Sequence, residues 1–198
     1  MRKLALHQIT MMEGGPEGLV RFAAEAGLDE VCLFTATPVD KQGQDMFPVV
    51  TPSASASFKR LLHDHDMRII NAAGCNSLDK AATLHGHVNQ PNLGIAIDAL
   101  HLFRTGGTLE QLETMDPAII TYVQLCDGPD FHLSGDYLDE AMNRMIPGEG
   151  VFPLKNLAAL LGPHVDIDIE VPDFAGCGGS DAKSWAHRAV TASRNLLD

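Results

Sequence analysis

The sequence has few positive charges: 14 lysine and arginine residues stand against 26 aspartate and glutamate residues, for a formal net charge of −12. Proteins that bind nucleic acids need a surplus of lysine and arginine to displace the counterions of the phosphates. An anionic membrane surface repels an acidic protein for the same electrostatic reason. The charge therefore disfavours both a nucleic acid and a membrane as partners.

Long hydrophobic runs and paired cysteines are also missing. The apolar stretch after the basic start is interrupted at His7 and Gln8, so it is too short for a membrane span or a signal peptide. The four cysteines are widely separated, with no CxxC pair, and Cys32 and Cys126 lie inside apolar runs. We therefore expect reduced, packed thiols, a reducing compartment and a cytoplasmic location.

What the sequence does contain is a regular alternation of short apolar runs with amphipathic segments. Its 198 residues, 45 % of them hydrophobic, are enough for one domain over residues 1–198. Six apolar runs have the length of buried strands: 3–9, 30–35, 67–71, 93–98, 119–126 and 165–171. The segments between and after them predict helices: 16–27, 53–66, 77–89, 109–114, 137–144, 154–161 and 180–197.

Strands that alternate with helices along a chain form a parallel sheet with helices on its outer face, so the predicted class is α/β. The run VDIDIE at 165–170 directs its apolar side chains to one face and Asp166, Asp168 and Glu170 to the other. Because both faces of a parallel sheet are normally covered, three acids on one face predict a polar interior or the mouth of an active site. The alternative is that residues 165–170 form an edge strand with one face exposed to solvent.

Polar residues stand at the carboxyl ends of the last three predicted strands, where parallel α/β folds bind ligands. The alternation of each strand directs Asp98, Gln124 and Glu170 inward. Such oxygen ligands suit a divalent ion such as Mg²⁺ or Mn²⁺, so these residues predict a metal site. His101 and Arg104 follow closely and could hold a hydroxyl, carboxylate or phosphate. Taken alone, an acid at a strand end is more often a helix cap or an ion-pair partner than a metal ligand.

Several segments carry a family resemblance. Residues 91–107 (PNLGIAIDALHLFRTGG), 122–127 (YVQLCD), 147–154 (PGEGVFPL) and 167–172 (IDIEVP) resemble motifs of the xylose-isomerase-like TIM barrels, a family of sugar phosphate isomerases and epimerases. Residues 4–9 (LALHQI) and 23–27 (AAEAG) fit the first βα unit of that family. The resemblance extends over nearly the whole chain, and it implies a (β/α) barrel.

The resemblance also implies roles for individual residues. In the family, four strand-end residues hold a divalent metal: a Glu, an Asp, a His or Gln, and a second Glu. Asp98 matches the Asp, Gln124 the His or Gln, and Glu170 the second Glu, which also serves as a catalytic base. His101 and Arg104 match substrate-contacting positions. The implied cofactor is Mn²⁺, Mg²⁺ or Zn²⁺.

One family residue has no counterpart, because residues 71–76 (NAAGCN), where the first Glu would stand, contain no acid. The chain length also indicates that part of the family barrel is missing. A (β/α)₈ barrel takes about 250 residues, and this chain is shorter by nearly two βα units. We therefore predict a barrel truncated to about six parallel strands, in which the third strand leads directly to the helix that normally follows the fifth.

These observations predict a metal-dependent isomerase or epimerase of a small sugar or polyol, acting through an enediolate. A related dehydratase is one alternative, and a catalytically impaired barrel kept for binding or assembly is another. The family also contains DNA-repair endonucleases, but those need three metals, more histidine ligands and a basic groove. Because an incomplete barrel has exposed strand edges, we also predict a homo-oligomer.

Overall fold

The computed structural model describes residues 3–34, 44, 47–70, 78–88, 94–131, 135, 137–176 and 181–198. Its strands are β1 (Leu4–His7), β2 (Glu30–Cys32), β3 (Arg68–Ile70), β4 (Ile95–Asp98), β5 (Ile120–Leu125) and β6 (Asp166–Ile169). Its helices are α1 (Gly15–Glu25), α2 (Ser55–Asp64), α3 (Leu78–Val88), α4 (Ala99–Arg104), α5 (Leu109–Glu113), α6 (Tyr137–Met142), α7 (Leu154–Leu160) and α8 (Ala182–Leu197). Short 3₁₀ turns cover Gln8–Thr10, Pro52–Ala54 and Pro117–Ile119.

All six predicted strands are present, in one parallel sheet with the order β3-β2-β1-β6-β5-β4. First and last strands pair with each other, as they do in a closed barrel. Within the described residues β3 and β4 do not pair, so they form the two edges of the sheet. The two missing βα units therefore belong between β3 and β4, which confirms the predicted truncated (β/α) barrel.

Side-chain caps explain where the elements differ from the prediction. Strand β1 ends at His7, whose Nδ1 accepts a hydrogen bond from the Ile9 backbone N–H (3.2 Å) and begins a 3₁₀ turn inside the predicted strand. Helix α4 was not predicted. It begins because Asp98 Oδ1 accepts hydrogen bonds from the backbone N–H groups of Leu100 (2.9 Å) and His101 (3.2 Å).

The two faces of the sheet have opposite character. The outer face contributes Leu6, Val123 and Ile167 to the hydrophobic core shared with the helices. The inner face carries buried polar groups, among them Asp168, which is completely buried. Because β6 lies between β1 and β5, it is not an edge strand, and the prediction of a polar interior is correct. No helix within the described ranges is long and apolar enough to cross a membrane.

The turn after β5 is organised by one buried carboxylate. Asp127 Oδ1 accepts hydrogen bonds from the backbone N–H groups of Gly128 and Phe152, and Oδ2 accepts one from Gly148, each at 2.9 Å. The PGEG motif thus wraps around Asp127. A side chain at Gly150 is not tolerated, since its Cβ would lie 2.4 Å from Asp127 Oδ1 and 2.3 Å from the Gly128 carbonyl oxygen.

We expect Asp127→Ala to lower the free energy of unfolding by about 2–4 kcal/mol, because it leaves three backbone donors without their acceptor. Urea unfolding followed by circular dichroism measures the change. Asp130→Ala, at an exposed position three residues later, is the matched control and should be nearly neutral. Equal stability of the two variants would contradict this role for Asp127.

Candidate active site

The carboxyl ends of β4, β5 and β6 place the predicted ligand residues side by side. Asp98 lies opposite Gln124, and Gln124 lies opposite Asp168 in the strand register. Glu170 follows directly after β6, and its backbone N–H donates to the carbonyl of Leu125 (3.1 Å). The three predicted residues therefore lie at the same end of the sheet.

Two of them, Asp98 and Glu170, converge on Arg144. Nη1 of Arg144 lies 3.0 Å from Asp98 Oδ2 and 3.4 Å from Glu170 Oε2. The Arg144 side chain is only 4 % exposed. Burial by itself disfavours its charge, but the carboxylates of Glu170 and Asp98 raise the pKa of the guanidinium above its usual range. The arrangement is a buried cation held by two carboxylates from different strands.

Glu170 is the titratable member of this group near neutral pH. Burial raises its pKa to about 7; the charge of Arg144 opposes that rise, and the charge of Asp98 and a side-chain hydrogen bond with it add to the rise. Its Oε1 also lies 3.9 Å from His7 Nδ1. A carboxyl group with such a pKa can take up and release a proton under physiological conditions.

Gln124 lies between Asp98 and Asp168 in the strand register. It is half-buried, and its side chain favours the charged form of Asp168, opposite in the register. The structure therefore brings Asp98 and Glu170 together on one cationic group, while Gln124 lies beside Asp168. Their roles as metal ligands remain predictions.

The two residues predicted to contact substrate differ in exposure. His101 is 45 % exposed; its Nε2 lies 3.5 Å from Asp98 Oδ2, and its Nδ1 is hydrogen-bonded to the hydroxyl of Tyr137. Arg104 is largely buried: its Nε donates to Glu140 Oε1 (2.7 Å), and its Nη2 donates to the carbonyl of Pro129. His101 is thus open to solvent beside the carboxylates, whereas Arg104 connects helix α6 to the loop after β5.

Beside the carboxylates lies a buried polar layer that the sequence patterns did not identify as a site. Ligand atoms of His7, Cys32 and Asp168 all lie within 4.8 Å of one another, the one such group of three in the part of the chain that the structure describes. The hydroxyl of Tyr122 donates to Asp168 Oδ2 (2.5 Å), while Oδ1 has no hydrogen-bond partner among the described residues. Nitrogen, sulfur and oxygen donors together could hold a divalent ion such as Zn²⁺.

Electrostatics in this layer favours uncharged side chains. Burial, the largest cause in each case, raises the pKa of the Cys32 thiol, lowers that of His7 and raises that of Asp168 to about 6. Because His7 Nδ1 accepts the Ile9 N–H bond, the neutral ring carries its proton on Nε2. A metal ion here would have to displace that proton or that hydrogen bond. Cys32 and Cys126 are buried free thiols, as expected.

Comparisons with known proteins agree with this fold. A sequence model of the family described as xylose isomerase-like TIM barrel matches residues 69–187. No curated protein sequence matches the chain. Among solved structures, a xylose isomerase domain protein from Alicyclobacillus acidocaldarius is similar over 100 % of this chain and 98 % of its own, with 14 % identity and a TM-score of 0.64.

Two further structures are similar in fold. An IolI protein with a bound zinc atom aligns over 99 % of this chain and 76 % of its own (16 % identity, TM-score 0.54). A D-allulose 3-epimerase from Methylomonas sp. aligns over 99 % and 98 % (10 % identity, TM-score 0.57). At such identities the likeness concerns the fold.

A parallel α/β sheet with outer helices and carboxylates at its carboxyl ends defines a protein of the TIM-barrel class. Because the family model matches more than half of the chain, the protein belongs to the xylose isomerase-like TIM barrel family, in a form truncated to six strands.

The raised pKa of Asp168 has a consequence for stability. Its folded-state pKa of about 6 exceeds the ordinary 3.8. The contribution of Asp168 to the free energy of unfolding is therefore fully present below about pH 4 and is lost as pH rises through about 6. An asparagine side chain in its place would be neutral at every pH and could still accept the Tyr122 bond. In wild type this loss lowers the free energy of unfolding by about 3 kcal/mol, and we expect it to be absent from Asp168→Asn.

Urea unfolding of wild type and Asp168→Asn at about pH 4 and about pH 8 measures this difference. Asp29→Asn, at an exposed position, controls for general charge effects. A difference between Asp168→Asn and wild type that does not change with pH would contradict the assignment.

Proposed function

We propose that the protein is an isomerase or epimerase that moves a proton at a carbon next to a carbonyl group of a small sugar or polyol. The observation that carries the proposal is the buried pair Asp98–Glu170, held on one cationic group at the carboxyl ends of parallel strands. Such strand ends are where barrel enzymes place their catalytic residues. Epimerases among the structures of similar fold support the substrate class.

The donor set also fits the divalent ion in the proposal. Both carboxylates already bind a positive group, Arg144, which indicates that this position favours a cation. Asp98 and Glu170 would hold the ion, with the amide oxygen of Gln124 as a third oxygen donor. A bound divalent ion would supply Lewis-acid polarisation of the substrate oxygens and stabilise the negative charge of an enediolate.

The remaining roles follow from exposure and contacts. Glu170, buried beside Asp98, is the proposed base that removes and returns the proton. His101 faces solvent next to Asp98 and is suited to hydrogen-bond a substrate hydroxyl. Arg104 could reach a substrate only by leaving Glu140 and the Pro129 carbonyl. We therefore propose that Arg104 serves the site chiefly by holding α6 and the loop after β5 together.

A specific observation favours the second candidate, a barrel remnant with a binding or assembly role. The chain lacks the first family Glu, and Arg144 already neutralises the two carboxylates. Loss of one acid–base group typically costs a factor of about 10²–10⁴ in rate. The two candidates therefore differ in whether any proton transfer remains.

Exchange of substrate protons with solvent tests the first candidate. Ketohexoses and ketopentoses would be incubated in D₂O with the protein and Mn²⁺, and deuterium at the carbons next to the carbonyl measured by NMR. We expect exchange with wild type and a loss of about 10²–10⁴ in Glu170→Gln. Glu113→Gln, on the exposed face of α5, should retain the wild-type rate. If no sugar shows exchange, the isomerase candidate is excluded, and the barrel remnant with a binding or assembly role is retained.

We also propose that a second copy of the chain covers the open edges of the sheet. On the edge strand β3, Ile69 is 42 % exposed, and unpaired strand edges invite association. Sedimentation velocity at micromolar concentration should give a dimer or larger species, which Ile69→Lys weakens. Val151→Lys changes another exposed apolar residue (58 %), away from the sheet edge, and should leave the assembly intact. A monomeric wild-type protein would exclude this assembly.

A further inference from the structure

We infer that Arg144 competes with divalent ions for Asp98 and Glu170, so that this residue sets the metal affinity of the site. The inference rests on the proposed function for the identity of the site. It assigns to Arg144 a role opposite to that of a ligand: its guanidinium occupies the position between the carboxylates. Removing it should open that position to a metal ion.

Few oxygens of Asp98 and Glu170 remain available to a metal ion. Asp98 Oδ1 already accepts two backbone N–H bonds at the start of α4. The other oxygen, Oδ2, accepts the hydrogen bond from Arg144 Nη1 at 3.0 Å. The same nitrogen lies 3.4 Å from Glu170 Oε2. A metal held by Asp98 would therefore compete with Arg144 for Oδ2.

Arg144 is also held in place by hydrogen bonds to neighbouring backbone groups. Its Nε donates to the Ala141 carbonyl (3.0 Å), and its backbone N–H donates to the Pro172 carbonyl (2.9 Å). Isolated bridges between Asp127 and Met145 and between Asn143 and Asp173 flank it on both sides. The guanidinium is therefore positioned by backbone contacts that do not depend on the two carboxylates.

The charge of Arg144, paired with those of Asp98 and Glu170, also opposes the entry of a metal ion. Arg144 is 4 % exposed, and Asp98 and Glu170 are 9 % and 10 % exposed, so water screens the three charges poorly. A divalent ion bound between the carboxylates would lie against the guanidinium, and two like charges at that separation repel strongly. Arg144 must therefore leave before a metal enters, and its departure breaks both ion pairs. The metal affinity of wild type is reduced by that cost.

Titration of Mn²⁺, followed by the EPR signal of the free ion, tests the inference without substrate. We expect Arg144→Met to bind Mn²⁺ at least about tenfold more tightly than wild type, because the buried carboxylates then lack a counter-charge. Arg144→Gln, which keeps a hydrogen-bond donor without the charge, should show the same gain, and it decides the question if Arg144→Met does not fold. Adding Asp98→Asn to either variant should abolish the gain.

Arg68→Met is the control, since Arg68 also pairs with a buried carboxylate, Glu30, at the opposite end of the sheet. Its Mn²⁺ affinity should equal that of wild type. Wild-type binding as tight as that of the Arg144 variants, or no binding by any variant, would overturn the competition. A gain that survives Asp98→Asn would also overturn it, because the ion would then bind elsewhere. The isomerase proposal is judged separately, by proton exchange.

Discussion

The structure around the candidate site depends on one buried ion cluster, in which Arg144 is shared by Asp98 and Glu170. Two carboxylates at the ends of different strands would repel each other in a poorly screened interior. A single guanidinium removes that repulsion and joins the ends of β4 and β6 to the segment after α6. The same contact connects the site to the Asp127 turn, because Met145 forms its bridge with Asp127 directly beside Arg144.

The loss of two βα units leaves this half of the barrel intact. Strands β1, β6, β5 and β4 remain consecutive neighbours, and the missing units belong beyond the edges β3 and β4. Asp98 and Gln124 are register partners, and Glu170 follows the end of the next strand. What the open sheet loses is the surface that the missing strands would have supplied.

Burial explains why the interior combines so many polar groups without being uniformly charged. Asp168 bonds to the Tyr122 hydroxyl, Glu170 has a pKa of about 7, and His7 and Cys32 favour their neutral forms. Each adjustment reduces the charge that the low-dielectric interior must hold. Arg144 keeps its charge with Asp98 and Glu170, at the end of the sheet where parallel folds bind their ligands.

The sequence by itself determined the α/β class, the six strands, the inward direction of Asp98, Gln124 and Glu170, and the truncation. These properties depend on local periodicity, motif spacing and length, which a single sequence contains. Only the tertiary structure decided that Arg144 joins two of those residues and that His7, Cys32 and Asp168 share one layer. It also decided that Arg104 faces Glu140. Such contacts connect residues far apart in the chain, and their geometry depends on strand order and register, which side-chain patterns do not specify.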